Sequence, residues 1–300
     1  MFVIWVEWIK VPEMVAFSIN LLVTVPLNSL LLSFGIQGQG KKMSKPRFTI
    51  ITVCYNAEKY ITETIQSVLQ QTFSDYEYII EDGFSTDSTL KLVASLAEGN
   101  ERINVFSMPD NGIYDAMNKA LEQAEGEYIF FLNAGDCFCN NEVLSKAVGF
   151  FDSHNADIAY GNIVEINGEE KSVRKYGNIY RKKFFYLTGD CICHQAIFAK
   201  HELFLKREFD TKYKICADRD WQLFWIDKKA AFSPMFFEVA TVLSEGFSRS
   251  HIEDYEKEVK TCINQYFGKL EWVYGIISIM KNNIMLLKIL RYIERKLFKK

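Results

Sequence analysis

The chain has 300 residues and 49% apolar composition, enough for one large or two ordinary domains with a sizeable core, which excludes a disordered protein. A formal charge of −3 gives no global attraction to nucleic acid, and seven cysteines in a chain this long do not form the framework of a small secreted domain. A reducing cytosol suits them better. Cys137/Cys139 and Cys191/Cys193 have C-x-C spacing, whereas structural zinc sites use two to four intervening residues, so zinc is not expected.

Residues 1–42 differ in character from the rest of the chain. Met14 to Ile36 carries no charge over 23 residues, long enough to span a bilayer, but Asn20, Pro26 and Asn28 interrupt it, and a basic n-region and a small-residue cleavage site are lacking. Two readings fit: a membrane anchor, or an extension upstream of a true start at Met43. The second is favoured because Lys45 to Phe48 leads straight into a complete first strand.

From Phe48 strands and helices alternate. Strands are expected at Phe48–Val53, Tyr76–Ile80, Ile103–Ser107 and Tyr128–Leu132. Helices are expected at Glu58–Gln71, Thr86–Glu98 and Tyr114–Glu125, with Ile61, Ile65, Val68 and Leu69, and then Met117 and Leu121, at helical spacing. Such alternation predicts an α/β fold with a mostly parallel sheet wound by right-handed crossovers. Each strand ends in polar residues: Tyr55-Asn56, Glu81-Asp82-Gly83, Pro109-Asp110, and Asn133-Ala134-Gly135-Asp136. Ligands bind at the carboxyl ends of such strands, where loops carry chemistry and the sheet holds them still. Asp87 is placed to cap the second helix, whereas Asp82 stands too early to cap and is the better ligand candidate. For Asp136 the bland alternative is a cap on a helix starting near Asn141.

After Phe151 the pattern becomes mixed. Ile158–Ile166 and Lys171–Tyr176 flank Asn167-Gly168, a hairpin signal that adds an antiparallel element. Cys193-His194-Gln195 is read as loop or strand edge, Asp218 as the start of a helix through Asp227, and Ala231–Leu243 as one or two strands. A polar loop, Ser244 to Ser250, contains Arg249. From Lys269 the chain reads as a helical tail with aromatic and aliphatic residues and eight Lys/Arg against two Glu. It fits an interfacial membrane helix, or a helix packed on the domain with a solvated basic end.

Neither G-x-G-x-x-G nor a Walker A sequence follows the first strand, which argues against an ordinary dinucleotide or P-loop site. Five stretches in order, TVCYNAEKYITETIQSVLQQTF, IIEDGFSTDST, DNGIYDAMNKALEQAEGEYIFFLNAGD, CHQAIF and ADRDWQLF, make the region from Phe48 to Ser250 resemble the family 2 glycosyltransferases. The resemblance implies a GT-A-type, Rossmann-like mixed and mostly parallel sheet with helices on both faces, over 43–250, with 251–300 as a helical basic-amphipathic tail. It implies an inverting transfer of sugar from a UDP- or GDP-type nucleotide-sugar donor to a saccharide acceptor, lipid-linked and used at the inner membrane face, in surface polysaccharide biosynthesis.

By the same resemblance Asp82 holds the base or ribose, with Tyr55 and Asn56 in that pocket, and Asp110, Tyr114 and Asn118 line the sugar-phosphate side. Asn133 to Asp136 stands where the family carries its D-x-D metal motif. The sequence departs from it there: only Asp136 is a carboxylate and Asn133 offers an amide oxygen, so Mg2+ or Mn2+ should bind weakly without nucleotide. Asp218 matches the general base of inverting members, with Asp220 as runner-up. His194, Gln195 and Arg249 are expected at the acceptor or phosphates. Two competing readings are a nucleotidyltransferase, which would want a basic glycine-rich loop after the first strand, and a non-catalytic nucleotide-sugar-binding protein, against which Asp136 and Asp218 both argue.

Overall fold

Strand β1 (Phe48–Cys54) is buried along its whole length, which requires apolar or hydroxyl side chains on both faces and parallel neighbours on both edges. It finds them in β2 (Tyr76–Asp82) and β4 (Tyr128–Phe131), while β3 (Ile103–Ser107) pairs parallel to β2 at the edge. Between them run α1 (Ile61–Leu69), α2 (Thr89–Ala97) and α3 (Ile113–Leu121). Ile61, Ile65 and Val68 of α1, and Tyr114, Met117 and Leu121 of α3, are buried at the spacing that puts them on one helical face. The ring of Phe48 packs against Phe73, Tyr128, Phe151 and Phe198, joining this parallel half to the rest of the core.

This structure, a computed structural model, describes residues 45–179, 182–187, 189–243, 251–268 and 274–276. The described fold is the unit that begins at Lys45. The expected extension 1–42, Arg249, and the tail from Lys269 except helical 274–276, lie outside the described residues. Among the described residues no helix is long and apolar enough to cross a membrane.

The second half continues through β5 (Cys137–Phe138), α4 (Val143–Ser153), β6 (Ile158–Asn167), β7 (Glu170–Arg174), α5 (Lys182–Leu187), β8 (Ile197–Lys200), α6 (His201–Lys206), α7 (Ala217–Asp227), β9 (Phe232–Leu243) and α8 (Ile252–Phe267). The sheet order is β3-β2-β1-β4-β8-β6-β9-β5, with β7 on β6. The expected hairpin forms, Asn167 pairing with Glu170 across a turn whose Gly168 has φ +60°. Antiparallel β8 joins the two halves, bonding β4 on one side and β6 on the other. Residues 231–243 contribute one strand, which runs parallel to β6 through a register shift near Asn162. Beyond the boundary expected at 250, α8 packs on α7.

One strand residue stands against the packing logic. Glu81 is fully buried, and neither carboxylate oxygen has a hydrogen-bond partner. Burial, with Asp110 and Asp82 adding repulsion that Lys119 only partly offsets, pushes its pKa from 4.5 up to about 7. An acid whose pKa is raised by folding holds more protons folded than unfolded between the two values, so its contribution to stability falls as pH rises from about 4.5 to about 7. Glu81→Gln should therefore leave the melting temperature unchanged at pH 4.5 and raise it at pH 8, by about 2–4 °C for each kcal/mol relieved. Calorimetric scans of both proteins at the two pH values check this.

Candidate active site

The strand ends of β1, β2 and β3 form one rim. Asp82, fully buried, accepts from the Ser85 amide (3.0 Å) and the Ser107 hydroxyl (2.8 Å) through Oδ2, while its Oδ1 meets only the Cys54 thiol at 3.7 Å. Asn56, with φ +49°, accepts from the Thr86 amide through Oδ1 (2.9 Å) and donates its own backbone amide to the Ser85 hydroxyl (2.8 Å), tying the β1 loop to the β2 loop. Tyr55 beside it is exposed. Asp87 stands one position before Ser88, the N-cap residue of α2, and accepts the Thr89 amide at 2.9 Å. Asp110 accepts the Gly112 amide (2.8 Å), and its other oxygen lies so close over Gly83 that a Cβ there would sit 2.3 Å away. Glycine at 83 is what lets two carboxylates, Asp82 and Asp110, stand at neighbouring strand ends.

The loop after β4 turns at Gly135, whose φ of +101° favours glycine, and its amide is held by Thr64 of α1 at 3.0 Å. This returns Asp136 inward, 8% exposed, where Gln195 Nε2 donates to Oδ2 at 2.6 Å. Burial pushes the Asp136 pKa up to about 6 despite that bond. Asn133 Nδ2 lies 3.0 Å from His194 Nε2, and Asn133 Oδ1 is buried without a partner. Residues His194–Ala196 form a 3-10 turn leading into β8, which brings this motif beside the β4 loop.

Asp218 comes from the first turn of α7. Its Oδ1 receives the Arg219 amide (2.8 Å) and faces the Tyr114 hydroxyl (3.0 Å), whose single proton is shared with the Ile215 carbonyl (2.8 Å). Its Oδ2 faces His194 Nδ1 at 3.4 Å. Phe131, Phe204, Phe209 and Trp221 line a small cavity with both residues, an apolar wall behind the carboxylate. Burial alone would raise its pKa, but His194, Tyr114 and the Arg219 amide outweigh that and hold it below 3.8. Asp218 is thus ionised at neutral pH, with Oδ2 the less occupied oxygen.

The family model described as "Glycosyl transferase family 2" matches residues 49–228, more than half of the chain. The chain belongs to glycosyl transferase family 2. A "PGL/p-HBAD biosynthesis glycosyltransferase" of Mycobacterium bovis is 30% identical over 184 residues, 60% of this chain and 70% of that one. The "Poly(ribitol-phosphate) beta-N-acetylglucosaminyltransferase TarS" of Staphylococcus aureus is 34% identical over 125 residues, 41% of this chain and 22% of that one. The structure of S. aureus TarS 1-349 with UDP-GlcNAc aligns with TM-score 0.59 at 22% identity, over 75% of this chain and 69% of that one. The mannosyltransferase PcManGT from Pyrobaculum calidifontis, with GDP-Man and Mn2+, aligns with TM-score 0.56 at 16% identity, over 86% and 82%. These likenesses carry the expected GT-A-type fold, and the protein is a glycosyltransferase.

Three expected site residues of this glycosyltransferase are committed elsewhere. Asp220 is fully buried on the far side of α7, bonded to Arg207 (2.5 Å), Gln265 (3.0 Å) and Tyr266 (3.0 Å); two positions along a helix from Asp218, it cannot share its face. Asn118 uses its amide on the Phe209 backbone, donating at 2.9 Å and accepting at 3.1 Å. Gln195 is buried, donating to Asp136 and accepting from the Cys193 thiol.

A residue not anticipated from sequence completes the site. The turn that leads into α7 is held by Glu258 of α8, which accepts the amides of Lys214 (2.7 Å), Ile215 (2.8 Å) and Cys216 (2.9 Å), the last being the N-cap residue of α7. No local signal marks it, because its partners lie some 40 residues earlier. Glu258→Ala should cost about 2–3 kcal/mol, the worth of charge-assisted bonds to otherwise orphaned amides, measured by chemical denaturation. An unchanged unfolding free energy would remove Glu258 from this role.

Proposed function

We propose that this glycosyltransferase is an inverting enzyme that moves a sugar from a UDP- or GDP-linked donor to a saccharide acceptor held on a lipid, with Asp218 as general base. The observation that carries the reading is the Asp218 carboxylate itself: desolvated yet kept ionised, with Oδ2 under-occupied and the β4 loop beside it through His194. In that role it takes the proton of an acceptor hydroxyl, which attacks the anomeric carbon from the side opposite the departing diphosphate. Only one displacement occurs, so the anomeric configuration inverts.

Asp82, Tyr55, Asn56 and Asp110 are the residues proposed to receive the nucleoside, since they line the rim and Asp82 Oδ1 retains accepting capacity. The structures of TarS with UDP-GlcNAc and PcManGT with GDP-Man support a nucleoside diphosphate there without choosing its base. A lipid-linked acceptor and an inner-face peripheral location draw on the basic, apolar composition of the segment after Lys269.

The residues of the β4 loop suit a divalent cation in part. Asn133 Oδ1 is a buried, unpartnered oxygen and Asp136 adds a carboxylate, both hard donors, although among the described residues no group of three or more His, Cys, Asp or Glu gathers. Asp136 and Asn133 would hold Mg2+ or Mn2+, the donor diphosphate completing the set, and the ion would supply charge stabilisation to the leaving group.

Two substitutions test the reading together. Asp218→Asn should retain nucleotide-sugar affinity by calorimetry while turnover, read as nucleoside diphosphate release, falls about a hundredfold or more. Asp136→Ala should lose the Mn2+-dependent part of donor affinity. Near-normal turnover in Asp218→Asn would remove it as base, and equal wild-type donor affinity in EDTA and Mn2+ would remove the cation.

A further inference from the structure

A single imidazole separates Asn133 from Asp218. The Asn133 Nδ2 lies 3.0 Å from His194 Nε2, and an amide nitrogen can only donate, so Nε2 must be the bare, accepting nitrogen. The ring proton then sits on Nδ1, which faces Asp218 Oδ2 at 3.4 Å. The opposite arrangement, with the Asn133 amide turned over, would put the proton on Nε2 and set the Nδ1 lone pair against the lone pairs of a carboxylate. For a neutral ring, Asp218 therefore favours the Asn133 orientation that donates to Nε2, which leaves Asn133 Oδ1 buried and unpartnered.

We propose that His194 is the positioning residue for Asp218: its Nδ1–H holds Oδ2 in line for the acceptor hydroxyl, with the Asn133 amide on the other ring nitrogen. The role rests on the reading of Asp218 as base. It replaces the expectation that His194 binds acceptor or phosphate. Both side chains are largely buried, 18% exposed for His194 and 13% for Asp218, so water does not supply a competing partner at little cost. The 3.4 Å separation is long, as such bonds often are before substrate is bound. Tyr114 and the Arg219 amide fix Oδ1, so without His194 the carboxylate has one anchored oxygen and one free to swing. Asn133 lies in the loop assigned to the diphosphate, and the imidazole thus connects donor loop and base directly.

The chain has four histidines, so selective 15N-histidine labelling of the full chain gives four imidazoles, with His194 assigned by its loss in His194→Gln. At pH 8.5 the proposal requires His194 in the Nδ1–H form, the less common tautomer of a free neutral imidazole. An Nε2–H imidazole, or an imidazolium, at that pH overturns it. The kinetic arm uses UDP-N-acetylglucosamine and GDP-mannose as probes and reads nucleoside diphosphate release. His194→Ala should lower kcat about tenfold to a hundredfold, the scale of a small misplacement of a reacting group, with KM within about twofold. His194→Asn, whose amide N–H reaches the place of Nδ1–H, should recover most of that loss. A loss carried in KM, or no recovery in His194→Asn, also overturns the role. Should Asp218→Asn turn over normally, the base assignment fails, while the tautomer still reports separately whether His194 holds Asp218.

Discussion

The site depends on keeping one largely buried carboxylate charged. Asp218 is ionised in a desolvated setting because donors from separate parts of the chain converge on it: Tyr114 from α3, His194 from the turn before β8, and the Arg219 amide from α7 itself. Each is delivered by an element the sheet fixes. Glu258 satisfies the three amides that precede the helix, so the start of α7, and with it Asp218, is pinned from α8 as well. Loss of any of these donors would move the balance toward the cost of burial and so raise the carboxyl pKa.

Two other carboxylates show the opposite balance. Asp136 has Gln195 on one oxygen and a pKa of about 6, and Glu81 has no hydrogen-bond partner and a pKa of about 7. Three acids of this domain therefore stand at different levels, burial raising each and the donors that reach it opposing that rise. Such separation of environments is how one protein can keep a base ionised while nearby acids titrate closer to neutral pH.

The parallel half was legible because its burial follows sequence period. Continuous apolar runs became β1 and β4, and Ile61, Ile65 and Val68 became the buried face of α1. Strand-end clusters were legible for the same reason, since polar residues at the end of a buried strand have only the loop region to occupy. What could not be read was which polar side chains would be consumed by distant partners. Asp220 resembles Asp218 in sequence, but two positions of helical rotation turn it toward Arg207, Gln265 and Tyr266. Asn118 latches Phe209, 91 residues away, and Glu258 holds the turn before α7, some 40 positions earlier. The parallel pairing of β6 with β9 likewise follows from tertiary packing and leaves no local pattern.

The central claim is a single displacement with Asp218 as base, and the stereochemistry of the product tests it most directly. Proton NMR of the sugar first released or transferred from an α-linked nucleotide donor, recorded before mutarotation, distinguishes the anomers by their coupling. The account predicts the β anomer. An α anomer, the sign of two displacements or of front-side attack, would contradict it.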